Sequence, residues 1–249
     1  MKNSLRNAAS SISSPVERRL FAEYGAVFAT TAVPPPVIIF ADAARVDAFQ
    51  ASLSTSSAFL GAHEIRLQAK ALDALLAAAS EMAGQGGIIT ARAADAGGRS
   101  YEDTIRLWTR NVDRGLEHWQ QLGRMTGEQA VSIRELVPGD QVAAILGLEE
   151  TEQLFFGTFF DRSILFSVAA PGASQHLSML AFDVAEYADR EVERMLGRHG
   201  WYRTVPNDIP HFTYLGHQEA TLPDFGLHRI ERTYTERMYD FWTPDLDRL

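Results

Sequence analysis

The sequence contains no cysteine. This absence excludes disulfide bonds, thiolate nucleophiles and cysteine-based zinc sites, so any metal ion must be bound by histidine and carboxylate side chains. Basic residues are also scarce, because 23 Lys and Arg stand against 32 Asp and Glu, which gives a formal net charge of -9. Proteins that bind nucleic acid or anionic lipid need a basic face. The composition therefore argues against both kinds of partner.

Long apolar segments are missing as well. No run approaches the ~20 apolar residues that a transmembrane helix needs, so no transmembrane segment is expected. Residues 1–14 include Lys2 and Arg6 but no apolar stretch, so they do not form an intact secretory signal. We expect a flexible leader over residues 1–14 and a single domain over residues 15–249, because neither a long linker nor an internal repeat divides the chain.

The periodicity of apolar residues predicts a mixture of helices and strands. Predicted helices cover residues 16–24, 64–82 and 191–199, and further helices begin at Ser100 and Thr126, where capping signatures occur. Predicted strands cover residues 37–40, 88–91, 154–160, 164–169, 180–184, 201–205 and 211–215. We therefore predict an α+β fold with a small, mostly antiparallel sheet and helices packed on one side.

One stretch of the sequence contains candidate metal ligands. Asp183 interrupts an apolar run that is typical of a buried strand, and it follows His176 by seven residues. A buried carboxylate is costly unless it is paired or bound to a metal ion. His211 opens a second apolar segment about thirty residues later. Two histidines and one aspartate, each fixed at a strand end, match the three protein ligands of a catalytic zinc site with one position left for water. We therefore predict a Zn²⁺ site.

Each of these residues also has a purely structural interpretation. A single buried histidine is usually a hydrogen-bonded core residue, and only the combination of His176, Asp183 and His211 favours metal binding. Asp208 lies in a turn-like segment, so it is either a turn residue or a general base. The remaining histidines have no partners at ligand spacing and are assigned to structure: His63, His118, His199, His217 and His228.

Several short motifs occur in a fixed order around these residues. They are Arg99-Ser100-Tyr101, then Ser174, His176, Ala181 and Asp183, then His199-Gly200-Trp201, and finally Asp208 and His211-Phe212. This arrangement resembles the zinc D-Ala-D-Ala carboxypeptidases and dipeptidases of cell-wall metabolism and vancomycin resistance, which share a fold with the hedgehog signalling domain. The resemblance covers about residues 88–215.

The sequence departs from the family pattern at four positions. Met179 stands in place of a glycine, Thr104 in place of a glutamine, and Pro210 in place of the tryptophan before the last histidine. Asp208 stands in place of the catalytic glutamate, three residues before His211. The three metal ligands are thus retained, whereas the base is one methylene shorter.

The resemblance implies a D,D-carboxypeptidase-type peptidase that acts on peptidoglycan stem peptides or small peptides like D-Ala-D-Ala. A zinc-bound water would be the nucleophile and Asp208 the general base. Arg99 would bind a substrate carboxylate or the oxyanion, with Arg92 as a substitute, and Ser174 would hydrogen-bond the substrate. The expected location is periplasmic or extracellular.

Two alternatives remain open from the sequence. The first is a related endopeptidase that cuts between L-Ala and D-Glu in the same polymer. The second is a catalytically weak relative that keeps zinc for structure or binds wall peptides without cutting them. The position of the Asp208 side chain distinguishes an enzyme from a binding protein.

Overall fold

Helices and short antiparallel strands alternate along residues 4–249, the part of the chain that the computed structural model describes. The predicted α+β class is confirmed. The α-helices are α1 (Ser4–Ser10), α2 (Pro15–Tyr24), α3 (Ala43–Ala51), α4 (Ala69–Gly84), α5 (Tyr101–Gln121), α6 (Gly127–Arg134), α7 (Pro138–Thr151) and α8 (Arg190–Arg198). Short 3₁₀ helices cover Gly25–Ala29, Ile164–Phe166, Gln175–Ser178 and Glu219–Phe225. No helix within residues 4–249 is long and apolar enough to span a bilayer.

The strands form three small antiparallel sheets rather than the single sheet that was predicted. They are β1 (Thr55–Leu60), β2 (His63–Gln68), β3 (Ala181–Asp183), β4 (Trp201–Tyr202), β5 (His211–Tyr214), β6 (Leu227–Tyr234) and β7 (Arg237–Pro244). β1 pairs with β2, and β6 pairs with β7. The third sheet has the order β3-β5-β4, with β5 in the centre. This central sheet carries two of the predicted metal ligands.

The described residues form two compact units. The first comprises the described residues up to Ile38, together with Asp47–Arg99 and Gln175–Leu249, and it contains all three sheets. Its core is built from apolar residues of α2, α4, α8 and the strands, including the fully buried Phe182, Trp201 and Phe212. The second unit comprises Ile39–Val46 and Ser100–Ser174. The single-domain organisation stays a prediction.

The segment predicted as a flexible leader contains a helix, and the flexible leader itself stays a prediction. Met1–Asn3 lie outside the described residues, but α1 begins at Ser4 and the side chain of Leu5 is buried in the core of the first unit. Burial of a leucine contributes roughly 1.5–3 kcal/mol. Because this segment is mostly polar, its sequence did not indicate that Leu5 is buried.

The second unit confirms both predicted capping signatures. At the start of α5, the side chain of Ser100 accepts a hydrogen bond from the backbone N–H of Asp103, and the Asp103 carboxylate accepts one from the backbone N–H of Ser100. Thr126 and Gln129 form the same reciprocal pair at the start of α6. Such reciprocal pairs satisfy N–H groups that have no partner within the helix.

The two strands predicted over residues 154–160 and 164–169 are absent. The first segment is a bent loop, and Ile164–Phe166 is a 3₁₀ helix. The buried carboxylate of Glu149 accepts hydrogen bonds from the backbone N–H groups of Phe156 (2.9 Å) and Ile164 (2.7 Å). The Glu149 carboxylate therefore accepts hydrogen bonds from backbone N–H groups that would otherwise need a neighbouring strand. An apolar run in the sequence does not distinguish a paired strand from a buried loop of this kind.

The structure corrects other predicted boundaries. Residues 37–40 are bends rather than a strand, and in the predicted strand 88–91 only Ala91 pairs, as an isolated bridge to Val184. The predicted helix 64–82 begins only at Ala69, because residues 63–68 form β2. The regions 180–184, 201–205 and 211–215 do contain strands, although shorter ones.

Candidate metal centre

The centre of the site is a cross-strand pair. In the register of β3 and β5, Asp183 lies directly opposite His211, and Phe182 lies opposite Phe212. Directly opposed residues project from the same face of a sheet, with Cβ atoms about 4.5–5.5 Å apart. Oδ1 of Asp183 consequently lies 3.1 Å from Nδ1 of His211. Antiparallel pairing thus joins two residues that are far apart in sequence.

His176 approaches the same carboxylate from the 3₁₀ helix Gln175–Ser178. Its Nε2 lies 3.3 Å from Oδ1 of Asp183. Between this helix and β3, Met179 has a φ of +55°. This left-handed conformation is uncommon for a residue other than glycine, and it turns the chain from His176 into the strand. The structure therefore places a strained turn where the resembled family has glycine.

The outer nitrogens of both histidines are hydrogen-bonded. Nδ1 of His176 lies 2.6 Å from the carbonyl oxygen of Gly97, which can only accept, so this nitrogen carries the proton. Nε2 of His211 lies 2.9 Å from Oε1 of Gln175. The amide nitrogen of Gln175 donates to the carbonyl of Tyr24 (2.8 Å), which fixes the orientation of the amide and makes Oε1 the acceptor. Nε2 of His211 is therefore the protonated nitrogen.

This arrangement directs the inner nitrogens of both histidines at one carboxylate. Nε2 of His176 and Nδ1 of His211 can each carry a proton that is donated to Oδ1 of Asp183, or, once deprotonated, present a lone pair to a metal ion at the same place. Without a proton or a metal ion among them, the three acceptor atoms would repel one another. The three ligand atoms lie within 4.8 Å of one another, and no other group of three or more His, Asp or Glu residues with this property occurs in residues 4–249. His176, Asp183 and His211 can therefore bind a metal ion.

The pKa directions agree with this chemistry. Burial lowers the pKa of His176, so that its imidazole is neutral near pH 7, which is the form that binds metal. Burial acts to raise the pKa of Asp183, but attraction to the protonated forms of His176 and His211 and hydrogen bonds from their rings outweigh it and hold the pKa well below its usual range. Asp183 is therefore ionised.

Arg99 contacts a ligand directly. Its Nη2 donates to Oδ2 of Asp183 (2.8 Å), and its Nε donates to the carbonyl of Asp95 (2.9 Å). The guanidinium therefore holds the carboxylate in orientation and leaves Oδ1 for the metal, as outer partners of metal ligands commonly do. The sequence predicted only a contact with substrate for Arg99. Its Nη1 forms no hydrogen bond with any described residue, so one donor group is available for a substrate.

Asp208 lies beside the cluster at the start of β5. Its backbone carbonyl accepts a hydrogen bond from the N–H of His211 (3.1 Å). Burial raises the pKa of its carboxyl, and repulsion from Asp183 adds to this, while His211, His176 and Arg99 act in the opposite direction. Asp208 nevertheless keeps exposed surface, so water reaches the carboxyl and partly offsets the effect of burial.

A buried arginine holds the loop that carries Asp208. The Arg203 side chain is 1% exposed, and its Nε donates to the carbonyl of Ile209 (2.8 Å) while its Nη2 donates to the carbonyl of Tyr187 (2.7 Å). Its guanidinium also lies over the ring of Phe212. These contacts fix the backbone between Asp208 and His211.

The two predicted substrate-binding residues are placed differently. Arg92 is exposed, its guanidinium lies over the ring of Tyr187, and its backbone N–H donates to the carbonyl of Asp183 (3.0 Å). Ser174 is buried and is the last residue of the second unit. Their contacts with a substrate stay predictions. The five histidines assigned to structure all lie outside the metal-ligand cluster.

Gln175 is the functional residue that sequence reasoning missed. It is buried, and its Oε1 also accepts hydrogen bonds from the hydroxyl groups of Thr213 (2.5 Å) and Thr204 (3.1 Å). Because it lies between Ser174 and His176, the motif treats it as a variable position. No signal in the sequence identifies it, because the burial of its amide is visible only in the structure.

Gln175→Leu should weaken metal binding without removing a ligand. Loss of Oε1 frees the His211 ring to change its tautomer and orientation, and outer partners of this kind typically contribute 10–100-fold in metal affinity. Competition between the protein and a fluorescent chelator measures the change.

Gln141→Leu provides the matched control. Gln141 is also a buried glutamine, whose Oε1 accepts a hydrogen bond from the indole of Trp108 (2.9 Å). Its replacement should lower stability but leave metal affinity unchanged. Equal losses of metal affinity in both variants would show that general destabilisation, not the contact with His211, is responsible.

Comparisons with known proteins give no match. No family model matches the chain, and no curated protein or solved structure is significantly similar to it.

Proposed function

We propose that this protein is a zinc-dependent peptidase of the D,D-carboxypeptidase type that acts on peptidoglycan stem peptides. The observation that carries the proposal is the convergence of Nε2 of His176 and Nδ1 of His211 on one carboxylate oxygen of Asp183. Two histidines and one carboxylate are a typical protein ligand set of catalytic zinc. The substrate class rests on the motif resemblance, as do the hedgehog-like fold and the periplasmic or extracellular location.

Two of the three separations between ligand atoms are close to those of a zinc site. Tetrahedral zinc with bonds of 2.0–2.2 Å separates its ligand atoms by about 3.3–3.5 Å. The separations of Oδ1 of Asp183 from the histidine nitrogens are 3.1 and 3.3 Å, and all three ligand atoms lie within 4.8 Å of one another. The two separations from Asp183 therefore need little change to accept zinc.

Each side chain around the ligands would have a separate role in the reaction. When bound, zinc would supply a Lewis acid and a water molecule activated for attack near neutral pH. Asp208 would accept the proton of the attacking water and pass it to the departing amine. Nη1 of Arg99 would bind the substrate carboxylate or the developing oxyanion, since guanidinium donors suit both tasks. Ser174 and Arg92 would add contacts with the peptide.

A zinc-containing protein that binds wall peptides without cutting them is the second candidate. The Asp208 carboxylate accepts no hydrogen bond from any residue in the described part of the chain, so its direction is not fixed by a partner. Arg99 is also partly engaged with Asp183. Both features favour a weaker catalyst than the resembled family, whereas the pKa of the Asp208 carboxyl, raised mainly by burial, favours Asp208 as a proton acceptor.

One assay separates these candidates. The zinc-loaded protein is incubated with a stem pentapeptide that ends in D-Ala-D-Ala, and the products are identified by mass spectrometry. Release of D-Ala supports the proposal, and cleavage after L-Ala identifies an endopeptidase. Saturable binding without cleavage identifies a binding protein.

Amidation of the peptide C-terminus tests the role of Arg99. The change should reduce turnover by the wild-type protein strongly but turnover by Arg99→Ala only slightly, because both remove the same interaction. Zinc content is measured in parallel, since the variant also loses the contact with Asp183. Additive losses at equal zinc content would show that Arg99 does not bind the carboxylate.

A further inference from the structure

A cavity lies within the first unit, next to α8. Its volume is about 730 Å³, which is within the size range of small-molecule sites. One wall is the face of α8 that carries Arg190, Arg194 and Arg198, spaced by four residues and so aligned along the helix. The β6–β7 hairpin contributes Arg229, and Arg203 joins from the segment after β4.

This lining is unusual for the protein as a whole. Five arginines but only three carboxylates line the cavity, although the chain carries a net charge of -9. Arg190 forms no ion pair with a described residue. Arg194 and Arg198 pair with Glu191 and Glu81, which do not line the cavity. Exposed pairs of this kind are weak, so these guanidinium groups can also bind a ligand.

One donor of the lining lacks a hydrogen-bond acceptor. The indole nitrogen of Trp201 is buried and has no partner among the described residues. Buried donors without acceptors are rare and costly. Nη1 of Arg203, in contrast, is ion-paired with Glu193. Because arginine geometry suits carboxylate and phosphate groups, the weakly paired arginines of this wall favour an acceptor-rich ligand.

We propose that this cavity binds a small polyanion bearing phosphate or carboxylate groups. The alternation of side chains along β5 shows that this cavity is separate from the metal centre. Phe212, which lines the cavity, neighbours His211 on β5, and successive residues of a strand face opposite sides of the sheet. A ligand here would therefore lie on the other face of the strand that supplies a metal ligand.

Calorimetric titration of the purified protein with tripolyphosphate and with citrate tests the proposal. We expect saturable binding of at least one of them, weakened by added salt because the contacts are ionic. The double variant Arg190→Gln/Arg194→Gln should weaken that binding by about tenfold or more, because charge-assisted hydrogen bonds are lost. Preference for one anion identifies the group that the site recognises.

The control removes the same charge elsewhere. Arg18→Gln/Arg110→Gln replaces two exposed arginines that do not line the cavity. It should leave the affinity for the anion nearly unchanged. The proposal is overturned if neither anion binds saturably at millimolar concentration, or if both double variants weaken binding equally, because the general charge of the protein would then be responsible.

Discussion

Replacing His176 with alanine should remove nearly all bound zinc from the protein. The wild-type chain should contain about one zinc, and two remaining ligands cannot hold it at micromolar protein concentration, since metal affinity depends on every ligand. Elemental analysis of protein purified without chelators measures the difference. Replacing His63, which lies outside the ligand cluster, should leave the zinc content unchanged.

The same variant should lose the stabilisation that zinc provides. Free zinc at a thousand times its Kd adds about 4 kcal/mol to the free energy of unfolding. For a chain of this length, that corresponds to a rise in Tm of roughly 8–16 °C. Chelation should therefore lower the Tm of the wild-type protein but not that of His176→Ala. A wild-type protein free of transition metal, with a Tm insensitive to zinc, would contradict the metal site.

Asp208→Ala should abolish peptide cleavage while zinc stays bound. Removal of a general base costs typically 10²–10⁴-fold in rate. The Asp208 side chain is not one of the three candidate ligands and forms no hydrogen bond with any described residue, so zinc content should remain that of the wild-type protein. Asp224→Ala, which removes an exposed carboxylate from the 3₁₀ helix Glu219–Phe225, is the control and should remain active. Equal activity of wild type and Asp208→Ala would exclude Asp208 from the mechanism.

Asp208→Glu tests whether the shorter base is compensated by the backbone. The turn is held by the hydrogen bond from His211 to Asp208 and by the contact of Arg203 with Ile209, and the carboxyl interacts electrostatically with all three ligands. We therefore expect the longer side chain to crowd the site. A displacement of ~1 Å costs on the order of a hundredfold in rate. If Asp208→Glu instead raises kcat, the natural base is too short for efficient catalysis.

The cluster of three candidate ligands could be predicted from the sequence because one of its members breaks a local rule. Asp183 is a carboxylate within an apolar strand, and His176 and His211 accompany it at fixed positions near strands. Arg99 was also identified, but its contact with Asp183 was not, because it depends on how the loop at 95–99 folds back. Gln175 could not be recognised, since a polar residue beside a turn is usually exposed.

The fold was predictable where local signals are strong. The capping residues Ser100 and Thr126 fixed two helix starts, because their hydrogen bonds are formed within four residues. The segments around Phe156 and Ile164 were misassigned because the hydrogen-bond partner is the distant carboxylate of Glu149. An apolar run in the sequence indicates that a segment is buried, but it does not indicate which group forms hydrogen bonds with the backbone of that segment.

Met179 has a consequence for how sequence motifs are used. Its left-handed backbone costs about 1–2 kcal/mol, while burial of a methionine side chain contributes roughly 1.5–3 kcal/mol, so the two terms are similar in size. The side chain is 4% exposed, which allows this offset. A sequence pattern that requires glycine at this position describes a left-handed backbone conformation by naming the residue type that adopts it with the least strain. Searches by pattern would overlook chains in which a buried side chain offsets the same strain, whereas searches by backbone dihedral angles would retain them.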